Sequence, residues 1–360
     1  MNQTRTRILW IDIIRIIAIA MVIEMHAGDH VVYLWGKNPI RNDANVSWWL
    51  TGVTFKSIAS VCVPLLFMLS GYLLLSSKDQ IFTFFRKRLI KIVIPLVVWA
   101  LLYMWWDGVF LEATSTIKAI KLAIRNVLEG SVHYHLWFLY VLLGLYLVTP
   151  IMRRFAQSAS DGELLFFIGL WLFTATVFYL LQQFKEISIS LFAQPYVSGY
   201  LGYYVAGYYL GRKEYTSKQV WLAAIVFFAI VVGRTLWAYY LTYDGDKFDT
   251  NLFEFLTWHV IAASLASFIV LKSVAQYLEK YFSPAIEKTI VLVSGTTFGI
   301  YLVHDQILGL METGKVGFQL TTDAFNPLFA TPLTILVAFL LSFVVTYLLQ
   351  KIPLVKLITP

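Results

Sequence analysis

Residues 8–27 read ILWIDIIRIIAIAMVIEMHA, an apolar run long enough to cross about 30 Å of hydrocarbon as a helix, interrupted by Asp12, Arg15, Glu24 and His26. An ionisable group at membrane depth costs a few kcal/mol even on lenient insertion scales, so each interruption is read as functional. At 100° per residue, Arg15 and His26 differ by only about 20° around the axis and lie about 16 Å apart on one face. Asp12 stands one turn before Arg15, where it can pair with the guanidinium and set its direction. The plainer alternative is an inter-helix ion pair that only holds a bundle together. Glu24 falls on the face opposite His26, so it is expected at the outer interface rather than as a partner of that imidazole.

The pattern recurs along the whole chain. Of 360 residues, 59% are hydrophobic and 14% charged, and the mean hydropathy is +0.71, far more apolar than a soluble domain. Ten apolar segments follow one another: Ile8–Ala27, Thr51–Leu75, Leu89–Trp106, His135–Met152, Glu163–Leu181, Tyr196–Gly211, Lys218–Leu241, Glu254–Ala275, Ile290–Met311 and Thr331–Gln350. The sixth is short and glycine-rich. The fold class expected is all-α, a polytopic membrane protein with a single bundle of about ten transmembrane helices. No connection is long enough for a second soluble domain, so residues 1–360 read as one unit. Arg5 and Arg7 precede the first apolar run as in a signal peptide, but charges within that run and the lack of a small-x-small cleavage site mark it as a retained helix.

The net charge of +7 does not point to nucleic acid, because the cations sit in short clusters between apolar runs. One alternation of loops collects Arg5, Arg7, Lys78, Arg86, Lys87, Arg88, Lys91, Arg153, Arg154 and others. The opposite alternation, with Lys37, Arg41, Lys56, Lys118, Lys121, Arg125, Lys185, Lys247 and Lys315, holds about half as many, which puts both termini in the cytoplasm. Arg234 is left inside a helix. The single cysteine, Cys62, reads as a buried thiol with no disulfide to make.

With that orientation His26, His30, His133, His135, His259 and His304 all fall in the outer half, and the densest basic cluster, Arg86 to Lys91, falls at the inner end of the third segment. Imidazole is the side chain best matched to general-base work near neutral pH. His26 stands out through its alignment with Arg15, while His30, His133 and His259 read individually as structural. The basic cluster suits nucleotide phosphates, although such clusters also simply anchor helices. No metal is expected, since within the apolar segments the i, i+3 or i, i+4 His/carboxylate pairs of helical metal sites are lacking.

Several stretches together resemble membrane acyltransferase family 3, in particular its bacterial surface-polysaccharide O-acetyltransferase branch, of the enterobacterial common antigen type. Trp10 to His26 is similar to the family's first-helix signature, an arginine, ten residues and a histidine, matched by Arg15 and His26. VPLLFMLSGYLLL, from Val63, matches the second helix with its Ser70-Gly71 pair, and FFRKRLIKIVIP, from Phe84, the basic entry to the third. YHLWFLYVLLGLYLVTP, from Tyr134, resembles the fourth helix, and SGTTFGIYLVH, Ser294 to His304, the ninth. Two departures stand out. Arg88-x-x-Lys91 replaces Arg-x-x-Arg, turning a bidentate contact into a point charge, and the fourth helix lacks the carboxylates some members carry there, leaving Asp12 or Asp305 as acid partner.

The resemblance implies a one-domain enzyme of the bacterial inner membrane that takes acyl-CoA, chiefly acetyl-CoA, as donor and a glycan or lipid-linked sugar as acceptor, with membrane lipids around it. Under this reading Arg86, Arg88 and Lys91 hold the donor, and His26 acts as base with Arg15 and Asp12 beneath it, an acyl-histidine being the other route. Ser70, His135, Trp137, Tyr301 and His304 are expected to line the site or to stabilise the oxyanion. Two other classes fit the same bundle: a transporter or flippase for a polysaccharide precursor, suggested by the intramembrane charges and the glycine-rich helix, and a non-catalytic subunit of a glycan export complex.

Overall fold

The computed structural model describes residues 8–33, 46–112, 115–183, 196–245 and 250–360; Arg5, Arg7, Lys37, Arg41, Lys185, Lys247 and the side chain of His30 lie outside what is described. Each of the ten expected segments overlaps a helix. In chain order the helices are α1 (Leu9–Ala27), α2 (Asp29–Tyr33), α3 (Val46–Ala59), α4 (Cys62–Leu75), α5 (Ile81–Trp106), α6 (Thr116–Glu129) and α7 (Trp137–Ser158). They continue with α8 (Asp161–Gln183), α9 (Tyr196–Gly211), α10 (Ser217–Gly245), α11 (Trp258–Leu278), α12 (Pro284–Glu312) and α13 (Pro327–Leu349). Among the described residues, 7 spans are long and apolar enough to cross a membrane: α3 with α4, α5, α7, α10, α11, α12 and α13. α1 exceeds that criterion in charge, and α9, at 16 residues, falls short in length.

The second expected segment is two helices. Pro64 stands in the first turn of α4, where its missing N–H withdraws a bond from the preceding turn and separates α3 from α4. Broken helix exposes backbone that lipid cannot satisfy, and Arg234 of α10 supplies the donors. Its guanidinium reaches Ser57 O at 3.3 Å, Ser60 Oγ at 2.7 Å and Leu252 O at 2.7 Å, and stacks over Phe253 with 4.8 Å to the ring centre. The charge left unexplained inside a helix thus stitches a helix break.

The glycine-rich α9 runs through the centre of the bundle against α4, with Tyr203, Tyr204, Val205 and Ala206 fully buried. A Cβ on Gly71 would lie 1.8 Å from Tyr204 O, and one on Gly207 would lie 2.0 Å from Met68 O. The two backbones therefore touch, as small residues allow in apolar solvent.

The connection between the third and fourth segments, Asp107–Tyr134, contains α6. Ser115 Oγ accepts from Lys118 N at 3.4 Å to cap its start, and Gly130 at φ 72° ends it. Ile117, Ile120, Ile124 and Leu128 form an exposed apolar stripe beside Lys118, Lys121 and Arg125, the arrangement of a helix lying in a membrane interface.

Gly207→Leu is expected to lower the thermal midpoint of the detergent-solubilised protein, the overpacking costing about 1–3 kcal/mol or more. Gly233→Ala, where a Cβ meets nothing within 4 Å, should leave the midpoint unchanged when the two are compared by circular dichroism.

Candidate active site

α1 and α12 pack side by side in the same direction, and the polar residues of both helices meet at two levels. At the lower level Arg15 Nη1 donates to Asp12 Oδ1 at 3.3 Å and to Ser294 Oγ at 3.0 Å, and Ser294 Oγ donates to Asp12 Oδ1 at 2.6 Å. Asp12 and Ser294 are buried, so the ion pair is held by the hydroxyl of a third residue that the spacing within α1 could not reveal. At the upper level, 11 residues on in α1 and 10 on in α12, about 15 Å higher, the rings of His26 and His304 lie 5.2 Å apart.

Two further histidines join them from the turn that enters α7. The ring of His135 is 5.3 Å from that of His304 and 6.3 Å from that of His26. Residues 133–135 run from an extended His133 into a 3-10 turn, which aims successive side chains at different neighbours. His133 Nδ1 and His135 Nδ1 are 2.9 Å apart, and His133 Nε2 is 3.3 Å from Asp305 Oδ2 and 3.9 Å from Asp107 Oδ2. Tyr134 OH donates to Asp305 Oδ1. Tyr301 OH donates to His135 O at 2.5 Å, and Tyr103 OH to Leu302 O at 2.9 Å. His304 Nδ1 donates to Tyr301 O at 2.6 Å, because a carbonyl only accepts, so its buried Nε2 carries a lone pair with no partner among the described residues.

This cluster opens onto a cleft lined by His26, Tyr134, Asp305, Glu312, Thr321, Thr322 and Thr334 with Leu308, Leu320, Ala27 and Gly309. Thr322 Oγ1 donates to Ala27 O at 3.0 Å, satisfying a carbonyl orphaned at the end of α1. The cleft wall is thereby tied to the helix that carries His26.

His133, His135 and Asp305 bring donor atoms within 4.8 Å of one another. In the structure Asp305 approaches His133 at Nε2 and His135 approaches it at Nδ1, so the three residues form a line of polar contacts through the His133 ring.

Other expected site residues fall elsewhere. Ser70 Oγ donates to Leu66 O of its own helix at 2.8 Å, the usual resting place of a mid-helix serine. Trp137 packs on Tyr200 and Phe255, with ring centres 5.4 and 5.8 Å away, and is not part of the cleft. Asp12, 14 residues below His26, is about 21 Å from it along the helix and so is not its acid partner; Asp305, which shares the cleft with His26, is the nearer carboxylate. Glu24, expected at the outer interface, is buried, folded back onto Gly28 with neither carboxylate oxygen hydrogen-bonded among the described residues. His133, read as structural, belongs to the cluster, whereas His259 bonds Thr257 and Leu252 at 3.0 Å well away from it.

Arg86 and Lys91 are exposed and Arg88 half-buried at the start of α5, making no ion pair among the described residues. Tyr103, which packs on His133 with ring centres 4.2 Å apart, lies 15 residues beyond Arg88, or about 22 Å along the same helix. Cations and imidazoles therefore occupy opposite ends of the bundle.

A sequence model of acyltransferase family 3, described as an acyltransferase domain, matches residues 8–351. No curated protein and no solved structure matches the chain.

Removing one member of a buried ion pair is costlier than removing both. Arg15→Met is therefore expected to destabilise the solubilised protein more than Asp12→Leu combined with Arg15→Met; strictly additive losses in a double-mutant cycle would contradict the coupling.

Proposed function

The chain belongs to this acyltransferase family, and on that premise we propose that it is an O-acyltransferase of the bacterial inner membrane, moving an acyl group, in the first instance acetyl, from cytoplasmic acyl-CoA to a hydroxyl of a cell-surface or lipid-linked glycan. The observation that carries this reading is a separation along one bundle: cations at the foot of α5 that make no ion pair among the described residues, and an imidazole cleft some 20 Å away at its other end, about two-thirds of the hydrocarbon depth. Both termini then lie in the cytoplasm, with Arg86, Arg88 and Lys91 against the donor's phosphates.

His26 is the general base, being the one histidine that lines the cleft. The acceptor hydroxyl gives its proton to the His26 imidazole while its oxygen bonds to the thioester carbonyl carbon; the C–S bond then breaks, and the thiolate takes up a proton to leave as free CoA. Arg15, held by Asp12 and Ser294, provides positive charge on the donor's path at mid-helix, where it favours negative charge carried by the donor.

The cleft also bears on the acceptor. Its charged side chains are the carboxylates Asp305 and Glu312, alongside three threonines and a tyrosine, with no lysine or arginine in the lining. Hydroxyls of an uncharged sugar can hydrogen-bond to such groups, while an acidic sugar or a phosphate would be repelled.

With membranes containing the protein, labelled acetyl-CoA is expected to label envelope glycan, and His26→Ala to abolish labelling while protein level and membrane insertion are unchanged; retained labelling would overturn the assignment of the base. Replacing Arg86, Arg88 and Lys91 together by glutamine should raise KM for acetyl-CoA about tenfold or more, the loss of a few charge-assisted contacts, with a smaller change in kcat.

A further inference from the structure

We infer that Asp305, His133 and His135 form a second, carboxylate-backed imidazole chain in the site, in which His133 is a positioning residue that holds His135 with its Nε2 lone pair presented as a proton acceptor. This rests on the acyl-transfer reading for its purpose, but not for its geometry.

The direction of the chain follows from what each group can do. Asp305 Oδ1 already accepts from Tyr134 OH, and its Oδ2 stands 3.3 Å from His133 Nε2. Were that nitrogen a bare lone pair it would face an oxygen that is likewise an acceptor, so the proton of neutral His133 belongs on Nε2. His133 Nδ1 is then an acceptor, and among the described residues the atom placed to donate to it is His135 Nδ1, at 2.9 Å. His135 is thereby held as the Nδ1–H tautomer. Its backbone is fixed independently, since Tyr301 OH donates to its carbonyl at 2.5 Å.

The far nitrogen is left over. His135 is 1% exposed, and its Nε2 has no hydrogen-bond partner among the described residues. An acceptor in that state costs free energy unless a donor arrives. The logic is that of a nucleophile–base–carboxylate chain lengthened by one imidazole. A proton taken up at His135 Nε2 is balanced by loss of its Nδ1 proton to His133 Nδ1, leaving an imidazolium at His133 beside Asp305 and within 3.9 Å of Asp107. Asp107 is exposed, so the charge ends at the solvent edge instead of in the core. Isolated, H-Y-H in residues 133–135 reads as two helix-end histidines; only α12 brings the carboxylate that orders them.

The test uses the full-length protein in detergent with 15N-labelled histidine. There are 6 histidines, few enough to assign each imidazole by single replacements. Wild-type His135 is expected to show a protonated Nδ1 and a bare Nε2. Asp305→Leu and His133→Phe should abolish that fixed tautomer, and Asp305→Glu should restore it. A wild-type His135 protonated at Nε2, or a tautomer indifferent to Asp305→Leu, would overturn the chain. In the labelled acetyl-CoA assay, His133→Phe should lower kcat about a hundredfold, the ordinary scale of acid–base assistance, with KM for acetyl-CoA little changed; an unaltered kcat would overturn its role in catalysis. The two readings fail separately: a wild-type protein that transfers no acetyl group while keeping the His135 tautomer refutes the acyltransferase assignment and leaves the chain standing.

Discussion

The site depends on the link between Asp12, Arg15 and Ser294. In an apolar solvent a charged pair has no water to fall back on, so α1 can slide or rotate against α12 only by parting these groups, at a cost of several kcal/mol. The link therefore sets both the axial register and the rotation of two parallel helices. About 15 Å further along, that register is what places the His26 ring beside His304 and the His133–Asp305 contact beside both. The lower charges thus have a mechanical part to play: they hold the upper imidazoles in place.

The rest of the bundle meets the same demand, that no polar group be left facing lipid, by different means. α4 and α9 approach until their backbones touch at Gly71 and Gly207, exchanging side-chain volume for dispersion contact. The break before Pro64 is paid for by the guanidinium of Arg234, drawn from a different helix. The orphan carbonyl at the end of α1 is met by Thr322. Glycine content and an intramembrane arginine had also suited a transporter. In the structure both serve packing, and two of the buried polar atoms without a hydrogen-bond partner among the described residues, the Nε2 atoms of His135 and His304, lie behind one cleft.

Several site features were legible in the chain because they are local or periodic. The Asp12–Arg15 pairing is an i, i+3 relation within one helix, and the alignment of Arg15 with His26 follows from 100° per residue. Their likeness to a first-helix signature pointed to the acyltransferase family, which the match over residues 8–351 shows. Other readings failed where a neighbour decided the outcome. Ser70 turned to its own backbone and Trp137 to Tyr200 and Phe255, while Glu24 was drawn inward at Gly28. Helical angle states which face of α1 a residue occupies, not what lies against that face.

By itself, then, the sequence determined the solvent, the helical class, the approximate limits of the apolar segments and the concentration of unusual polar residues in α1, since these depend on composition and on a period of 3.6. Only the tertiary structure decided that Ser294 completes the ion pair, that Asp305 orders His133 and His135, and that Arg234 bridges a broken helix. Those partners are separated by between 170 and 282 residues. No local period relates residues so far apart; hydrogen bonding in a medium without water does, because there each polar group must find its partner inside the protein.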